Sequence, residues 1–219
     1  KWIKEQADSL GIDPTRIAVT GDSAGGGLAA GLAQLAHDLG EVKPAFQLLV
    51  YPMLDDRTTL KLDHAGRGEC IWTPGSNLLC WSSYLDRKPR VEAAPAYAVP
   101  ARRQDLSGLA PAWIGVGTLD LFYPENKEYA ERLVEAGVPC EFCEVEGAYP
   151  KAHWERPAYI QRPDLAGSAR RDVPIATVTD ALSHAACETA HDLGAAAIIN
   201  ATASGHTALA VARYRPLCP

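Results

Sequence analysis

The stretch RIAVTGDSAGGGLAAGLAQLA (residues 16–36) decides the fold class of this chain. It opens with an apolar run rich in β-branched residues, over residues 16–21, which is typical of a buried strand. A glycine-rich turn follows, and residues 24–38 then show the apolar spacing of a helix. A strand that leads directly into a helix is the first part of a parallel βαβ unit, so the stretch predicts an α/β fold.

The same alternation of strand and helix patterns continues along the chain. Further strand patterns lie at residues 45–52, 112–118 and 140–147, and further helix patterns lie at residues 75–85 and 125–136. The runs FQLLV and AWIGV within these strands are nearly continuously apolar, as expected for parallel strands that are covered on both faces. We therefore predict a parallel sheet with helices packed against it.

Length and composition exclude several classes of protein. The chain has 219 residues, of which 47% are hydrophobic, enough for one large domain or two small ones. The net charge of −6 argues against a nucleic-acid-binding surface, which would be basic. No run of about 18 apolar residues predicts a membrane span. The chain starts without Met or a signal-peptide layout, in a helix-like pattern, so we expect that an N-terminal part is missing.

The cysteines indicate a reducing, cytoplasmic setting. The chain has six, too few and too scattered for a disulfide scaffold. Cys140 and Cys143 are three positions apart in a predicted strand, where their side chains point to opposite faces. No second pair or nearby histidine completes a metal site. We therefore expect no metal, redox centre or cofactor.

The segment GDSAGG (residues 21–26) has the G-x-S-x-G pattern of a nucleophilic serine on a strand-to-helix turn. Flanking glycines let the backbone turn sharply, so that Ser23 projects from it. The N–H of Ala24 then points from a helix N-terminus at a developing oxyanion. The alternative is a glycine-rich helix start in which Ser23 only caps the helix.

Four segments resemble the hormone-sensitive-lipase family of α/β hydrolases: LGIDPTRIAVTGDSAGGGLAAGLAQLA, QLLVYPMLD, WSSYLD and DLSGLAPAWIGVGTLDLFYPENKEYAERLVEAGVPCEFCEVEGAY. The resemblance covers residues 1 to about 149. It implies a partial α/β-hydrolase sheet and a serine carboxylesterase or lipase acting on short- and medium-chain acyl esters. By the same match Ser23 is the nucleophile and Asp120, in GTLDLF, is the acid that orients a histidine. Asp120 follows a predicted strand, where ligands gather in α/β sheets, although a turn-capping role is the alternative.

The sequence departs from the family pattern in its oxyanion loop. The family has an HGGG-type loop before the serine, and the 219 residues contain no such motif. Ala24 would then be a lone oxyanion donor. We also expect the first strands of the sheet to be missing, so that the strand at residues 16–21 exposes an edge. Exposed edges invite aggregation or self-association.

The second departure concerns the catalytic histidine. The family pattern reads GAYHGF or GAFHGF, whereas here Tyr149 is followed by Pro150. Proline cannot accept a proton from Ser23. His153 is the candidate replacement, provided that the loop folds back by about one helical turn to reach the nucleophile. The alternative is an exposed histidine near a helix start, and His37 is interpreted as a surface residue.

The end of the chain resembles a second family. GAYP (residues 147–150) and VPIATVTDALSHAACETAHDLGAAAIINATASGHTALAVARYRPLCP (residues 173–219) are similar to the C-terminal domain of pyruvate kinase. The tail has a helix pattern ended by Gly194 and a strand pattern, AAIINAT. We predict a truncated α/β-hydrolase domain at residues 1–149 and a truncated pyruvate-kinase-like segment at residues 150–219.

The segment TASGHT (residues 202–207) has the chemistry of an anion site, with hydroxyls and a glycine between a strand and a helix N-terminus. The resemblance implies a phosphate-binding loop for a phosphorylated metabolite, lined by Thr202, Ser204, Gly205 and Thr207. An ordinary strand-to-helix turn is the alternative. The pyruvate kinase active site lies in another domain of that family, so this chain is not a competent pyruvate kinase.

Three hypotheses of function follow. The chain is a weak or inactive serine esterase, whose partner is a small acyl ester. Alternatively, its tail is a module that binds a phosphorylated metabolite. The third hypothesis is a chimera of two truncated genes joined at the shared GAY, natural or made during assembly, without a selected function.

Overall fold

The structure, a computed structural model, describes residues 1–69, 72–89 and 92–148 together with the backbone of residues 197–200. The α-helices are α1 (Trp2–Glu5), α2 (Ala7–Leu10), α3 (Ala24–Leu39), α4 (Pro74–Tyr84) and α5 (Tyr123–Glu135). The strands are β1 (Ile17–Asp22), β2 (Phe46–Val50), β3 (Ala112–Gly117), β4 (Cys140–Val145) and β5 (Ala197–Asn200). Short 3-10 helices cover Asp56–Leu60 and Pro100–Arg102.

The five described strands form one parallel sheet in the order β4-β3-β2-β1-β5. Every strand and every long helix lies where the sequence predicts it, within a few residues. The predicted α/β class with a parallel sheet is therefore confirmed. In a parallel sheet the carboxyl ends of all strands meet at one edge, and that edge carries the candidate site.

Helices α3 and α5 cover the first face of the sheet. Val19, Leu49 and Ile114 of successive strands pack there against small residues of α3 and against Tyr129 and Leu133 of α5. All five of these residues are no more than 2% exposed. The alanines of α3 allow this helix to lie close to the strands, which brings its N-terminus to the carboxyl end of β1.

The second face is lined by Leu48, Val50 and Trp113, which belong to a separate apolar cluster. The indole of Trp113 lies over Gly115, where a Cβ would be only 2.1 Å from the ring. The glycine therefore makes room for the largest side chain of this face. Near the carboxyl ends of the strands, Met53, Trp81 and Phe122 form a third cluster with residues of α4.

The prediction that the first strand exposes an edge was wrong. β1 pairs with β2 on one side and with β5 on the other. The physical reason is that a strand from the pyruvate-kinase-like tail joins the sheet and accepts the free side of β1. Within the described residues the edge strands are β4 and β5.

The structure also bears on the predicted absence of a membrane span and on the predicted segment boundary. None of the helices among the described residues is long and apolar enough to cross a membrane. Residues 149 and 150, where we predict the boundary between the two segments, lie outside the described residues.

Candidate active site

Ser23 lies between β1 and α3 with φ 54° and ψ −119°, a backbone conformation that residues other than glycine rarely adopt. The backbone around it is held by hydrogen bonds. The Ser23 N–H donates to the Val50 carbonyl at 2.9 Å, and the Ser23 carbonyl accepts from Gly27 and Met53 at 3.1 and 2.9 Å. Its hydroxyl makes no capping hydrogen bond to α3. The alternative of a capping serine is therefore not the arrangement observed.

Glycines around Ser23 are required by close contacts with backbone. A Cβ on Gly21 would lie 2.2 Å from the Gly25 carbonyl oxygen, and one on Gly27 would lie 2.2 Å from the Met53 carbonyl oxygen. Gly26 similarly faces Pro52 at 2.8 Å. Real Cβ atoms do not approach so closely, so the tight turn depends on glycine at these positions.

Ala24 is the first residue of α3 and is exposed. The N–H of a first helical residue has no acceptor within the helix, and it carries part of the positive end of the helix dipole. This N–H lies next to Ser23 in the chain, where an oxyanion donor for attack by that serine would have to be. The direct passage from strand to helix is the turn that the G-x-S-x-G pattern predicts.

Asp120 follows β3 and is completely buried. One carboxylate oxygen, Oδ1, accepts a hydrogen bond from the Phe122 N–H at 2.8 Å. The other, Oδ2, is buried and has no hydrogen-bond partner among the described residues. Burial raises the pKa of Asp120 to about 7, against the lowering effect of the Phe122 bond. Asp120 therefore caps the turn through Oδ1, while Oδ2 takes no part in capping.

The chain that leaves β4 is anchored beside the Asp120 turn. Leu119 donates its N–H to the Ala148 carbonyl at 3.0 Å, and Gly147 donates to the Thr118 hydroxyl oxygen at 2.9 Å. A Cβ on Gly117 would lie 2.3 Å from the same Ala148 carbonyl oxygen. Ala148, the last described residue of this segment, therefore lies beside the turn that carries Asp120.

The structure brings Ser23 and Asp120 to the same edge of the sheet, at the ends of β1 and β3. β2 lies between these strands, and Tyr51 directly follows it. Burial, with the nearby carboxylates of Asp22 and Asp120, raises the pKa of the Tyr51 phenol. Tyr51 therefore carries a buried, neutral phenol and follows the strand that lies between those of the two candidate residues.

Sequence reasoning did not identify Glu125 and Asn126, two residues that hold the loop after β2 by hydrogen bonds. Glu125 Oε1 accepts hydrogen bonds from the Leu54 and Asp55 N–H groups at 2.7 and 3.1 Å. Asn126 Nδ2 donates to the Pro52 carbonyl at 2.7 Å. Both residues are buried at the start of α5. Both lie in the mostly polar run ENKE (residues 125–128), so the sequence alone did not distinguish them from exposed polar residues.

The remaining candidate residues separate into described and undescribed ones. His153 and the four tail residues Thr202, Ser204, Gly205 and Thr207 lie outside the described residues, as does Pro150. His37 is exposed near the far end of α3, with Nδ1 3.1 Å from the Gly108 carbonyl oxygen. This agrees with its interpretation as a surface residue.

The cysteine pair of β4 is arranged as its spacing predicts. Cys140 packs against the cluster of the first face and Cys143 against that of the second. Both are free thiols, and burial raises the pKa of Cys140 to about 11. Among the described residues no group of three or more His, Cys, Asp or Glu side chains could hold a metal ion.

Comparison with known proteins decides the family. A family model described as the alpha/beta hydrolase fold matches residues 1–153, which is most of the chain. The chain belongs to the α/β hydrolase fold family. A second model, described as the pyruvate kinase alpha/beta domain, matches residues 180–219 of this α/β hydrolase. Both resemblances seen in the sequence are therefore confirmed.

Relatives of this α/β hydrolase include mycobacterial enzymes. It is 38% identical over 147 residues to carboxylesterase NlhH of Mycobacterium tuberculosis, covering 64% of this chain and 44% of the relative. It is 36% identical over 142 residues to esterase LipI of the same organism, with the same shares covered. The chain thus spans less than half the length of these relatives.

Solved structures give the same result. The chain is 40% identical to a bacterial heroin esterase with a TM-score of 0.61, covering 68% of this chain and 48% of that one. Esterase LipW of Mycobacterium marinum is 38% identical with a TM-score of 0.58, over 68% of this chain and 46% of the other.

Proposed function

We propose that the hydrolase part is a serine carboxylic-ester hydrolase of the hormone-sensitive-lipase type. Ser23 is the nucleophile, Asp120 orients the histidine, and the Ala24 N–H donates to the oxyanion. One observation carries this proposal: Ser23 has a strained φ of 54° on a strand-to-helix turn, and its hydroxyl is not used to cap the helix. A strained serine whose hydroxyl makes no capping bond to α3 fits a nucleophile held ready to react.

The relatives support this reaction class. The names of the relatives and solved structures given above are esterase or carboxylesterase. Hydrolysis of an ester is the activity that these names share. The substrate class proposed for this chain is accordingly a small acyl ester.

Each residue has a distinct role in the proposed reaction. Ser23 Oγ attacks the ester carbonyl while a histidine takes its proton, and the carbonyl oxygen becomes an oxyanion beside the Ala24 N–H. Asp120 Oδ2 accepts the other ring N–H of that histidine and stabilises the imidazolium. Among the residues that the structure describes, Oδ2 is buried without a hydrogen-bond partner, which supports this role because a buried carboxylate oxygen gains most from an N–H donor. Collapse of the oxyanion breaks the ester C–O bond, and the imidazolium gives its proton to the leaving alcohol. Water then hydrolyses the acyl-enzyme, which releases the carboxylic acid and restores Ser23.

The test is hydrolysis of p-nitrophenyl acetate and butyrate by the wild type and by Ser23→Ala. We expect turnover that is lost in Ser23→Ala and retained in Ser9→Ala, which removes an exposed hydroxyl bonded to the Gln6 carbonyl. A fluorophosphonate probe should label Ser23 even where turnover is slow. Equal activity or equal labelling of the Ser23→Ala variant would refute the proposal.

We also propose that the 219-residue polypeptide, assayed by itself, turns over slowly. Its residues contain no HGGG motif, and Pro150 stands where the family pattern has histidine. Loss of one oxyanion donor costs about 100- to 1000-fold in rate. His153→Ala decides whether His153 serves as the base: a loss matching that of Ser23→Ala would assign the role to it. Robust turnover by the wild type would contradict the slow-enzyme proposal while leaving the reaction class intact.

A second function is proposed for the tail because residues 180–219 match the pyruvate kinase alpha/beta domain. The loop containing Thr202, Ser204, Gly205 and Thr207 would hold a phosphate group through hydroxyls and backbone N–H groups. Calorimetry with a sugar bisphosphate tests it, with Ser204→Ala and Ser9→Ala as the variant and its control. Heat of binding that Ser204→Ala abolishes supports the function. The absence of heat at millimolar ligand would exclude it.

A further inference from the structure

Arg67 contacts both ends of the turn that carries Asp120. Its Nε donates a hydrogen bond at 2.9 Å to the carbonyl of Thr118, which lies shortly before Asp120 and 51 positions after Arg67. Its guanidinium carbon lies 5.2 Å from the centroid of the Tyr123 ring, shortly after Asp120. This separation is within the range of a cation–π contact. One side chain from an earlier segment therefore spans the whole turn.

Gly68 places the Arg67 segment directly against this turn. It is buried with a φ of +76°, and a Cβ on it would lie 3.0 Å from Leu121 Cδ1 and 3.3 Å from Leu121 Cβ. Leu121 directly follows Asp120 in the chain. Glycine is the residue that combines this backbone conformation with such a close approach. The residue next to Arg67 is thus fitted to the same turn.

The hydrogen bonds of Asp120 itself join residues of the turn alone. Its N–H donates to the Gly117 carbonyl at 3.1 Å, and its carbonyl accepts from the Tyr123 N–H at 3.1 Å. Its Oδ1 accepts from the Phe122 N–H. Such local bonds set the shape of the turn, whereas its direction relative to the sheet depends on contacts with other segments. Arg67 supplies contacts of this second kind.

Thr118 connects Arg67 to the chain that leaves β4. Its carbonyl accepts from Arg67, and its hydroxyl oxygen accepts from the Gly147 N–H at 2.9 Å. Its N–H donates to the Val145 carbonyl at 3.0 Å. A displacement of Thr118 would therefore disturb the Asp120 turn and the chain after β4 together.

The guanidinium acts on the turn and not on the Asp120 carboxylate. Asp120 Oδ2 is buried without a hydrogen-bond partner among the described residues, and Oδ1 is occupied by Phe122. Arginine suits the two contacts that Arg67 makes, because its planar group combines N–H donors with a flat face that stacks on an aromatic ring. Its side chain is not deprotonated in proteins, so this hold does not depend on pH.

We propose that Arg67 is a positioning residue for Asp120: by holding Thr118 and Tyr123 it fixes the buried turn and the direction of Oδ2. The part of Asp120 in catalysis rests on the function proposed above, whereas the hold on the turn does not. Loosening of the turn would admit water to the carboxylate and misdirect the oxygen that accepts the histidine N–H.

A titration of Asp120 tests the positioning role without any substrate. Carbon-13 NMR of the aspartate Cγ atoms in the full chain follows its pKa, and Asp120→Asn identifies the signal. Arg67→Met keeps an unbranched stem but removes the donor and the charge. Entry of water into the turn should then lower the Asp120 pKa from about 7 to about 6 or below. A merely electrostatic role predicts the opposite sign, because loss of a nearby cation raises the pKa of a carboxyl group.

Arg87→Met is the matched control, since Arg87 also donates to a backbone carbonyl, that of Ala93, but within its own loop. This variant should keep the Asp120 pKa of the wild type. An unchanged or raised Asp120 pKa in Arg67→Met would overturn the positioning role.

Two variants of Tyr123 keep Arg67 in place and test the second contact, even if Arg67→Met fails to fold. Tyr123→Leu removes the ring beside the guanidinium, whereas Tyr123→Phe removes only the hydroxyl that donates to Glu144. The leucine variant should lower the Asp120 pKa and the phenylalanine variant should not. Equal titration of Asp120 in the two variants would overturn the proposal.

Kinetics with p-nitrophenyl butyrate separate this inference from the proposed function. Arg67→Met should lower kcat by about tenfold or more and change KM by less than about twofold, because a misdirected Asp120 affects the chemical step and not ester binding. The rate at which a fluorophosphonate labels Ser23 replaces kcat where turnover is slow. A raised KM with unchanged kcat would contradict the role. Turnover independent of Ser23, combined with a lowered Asp120 pKa in Arg67→Met, would refute the esterase mechanism and support the hold on the turn.

Discussion

At the residue scale, burial makes the Asp120 carboxyl group harder to ionise than it would be in water. Burial raises its pKa from 3.8 to about 7. The folded chain therefore binds a proton more tightly than the unfolded chain between about pH 4 and pH 7. Stability from this group is fully present below about pH 4 and is lost as pH rises through 7. The upper limit of the loss is about 4 kcal/mol.

Asp120→Asn removes this ionisation while keeping an oxygen for the Phe122 N–H. We expect the variant to be more stable than the wild type at pH 8, by about 1 to 3 kcal/mol, because Asn remains neutral but must still bury its NH₂ group. The difference should shrink or reverse at pH 4.5. Urea unfolding at both pH values measures it.

The exposed residue Asp8 gives the control for this comparison. Asp8→Asn should follow the wild type at both pH values within about 0.5 kcal/mol. If Asp120→Asn is instead strongly destabilised at pH 8, Oδ2 has a cationic or N–H partner in solution. That result would favour a histidine already in place against Asp120.

Gly21 sets the sharpness of the Ser23 turn. A Cβ at this position meets backbone atoms of Gly25 at 2.2 and 2.3 Å, which no side-chain movement can relieve. We expect Gly21→Ala to destabilise the chain by about 3 kcal/mol or more and to abolish labelling of Ser23. Thermal unfolding and fluorophosphonate labelling are the two measurements.

Gly75 is the matched control, since a Cβ at this exposed position within α4 would have its nearest neighbouring atom 3.8 Å away. Gly75→Ala should be neutral or stabilise the chain by up to about 1 kcal/mol, because alanine favours helix more than glycine does. Equal effects of the two substitutions would show that the turn tolerates a side chain.

At the element scale, α5 fixes the loop that follows β2. Glu125 accepts hydrogen bonds from two backbone N–H groups of that loop, and its Oε2 accepts from the Thr58 hydroxyl. In turn, Met53 of the loop donates to the Ser23 carbonyl. The start of α5 thereby supports, through this loop, the Ser23 turn at the start of α3. Burial raises the pKa of Glu125 to about 8, so its carboxyl group is mostly protonated at neutral pH.

Glu125→Gln should therefore be close to the wild type at pH 7, since both side chains are neutral and keep Oε1 as an acceptor. Glu125→Ala leaves buried donors of the loop unpaired and should cost at least about 3 kcal/mol. The wild type should lose stability as pH rises through 8, because the folded pKa is raised, while Glu125→Gln should not. Chemical unfolding at pH 7 and pH 9 measures both effects.

Glu131, on the same helix and on its exposed side, supplies the control. Glu131→Ala should change stability by less than about 0.5 kcal/mol at either pH. A Glu125→Ala variant that is as stable as Glu131→Ala would show that the loop does not depend on this carboxyl group.

At the scale of the whole molecule, the shared sheet predicts a single unfolding transition. If β5 completes the sheet, the tail cannot unfold without exposing the side of β1, so calorimetry and tryptophan fluorescence should give one coincident transition. Trp81 and Trp113 are buried in the hydrolase part and report on it. Two separate transitions would instead support independent segments at residues 1–149 and 150–219.

The sequence by itself determined the alternation of strands and helices, the turn at Ser23 and the membership of both segments in their families. These features depend on residues that are neighbours in the chain: apolar spacing, β-branched runs and glycines around one serine. Side-chain periodicity and steric freedom act locally, so they can be read without knowing the fold.

Only the tertiary structure decided what depends on distant residues. Glu125 bonds to an N–H group 71 positions away, and β1 pairs with a strand from the other end of the chain. Packing of distant residues also buries Asp120 Oδ2 without a hydrogen-bond partner among the described residues, and it places β5 beside β1. Burial raises the pKa of a carboxyl group, and unpaired backbone groups at a strand edge favour pairing with another strand. The sequence pattern alone does not specify which groups become buried.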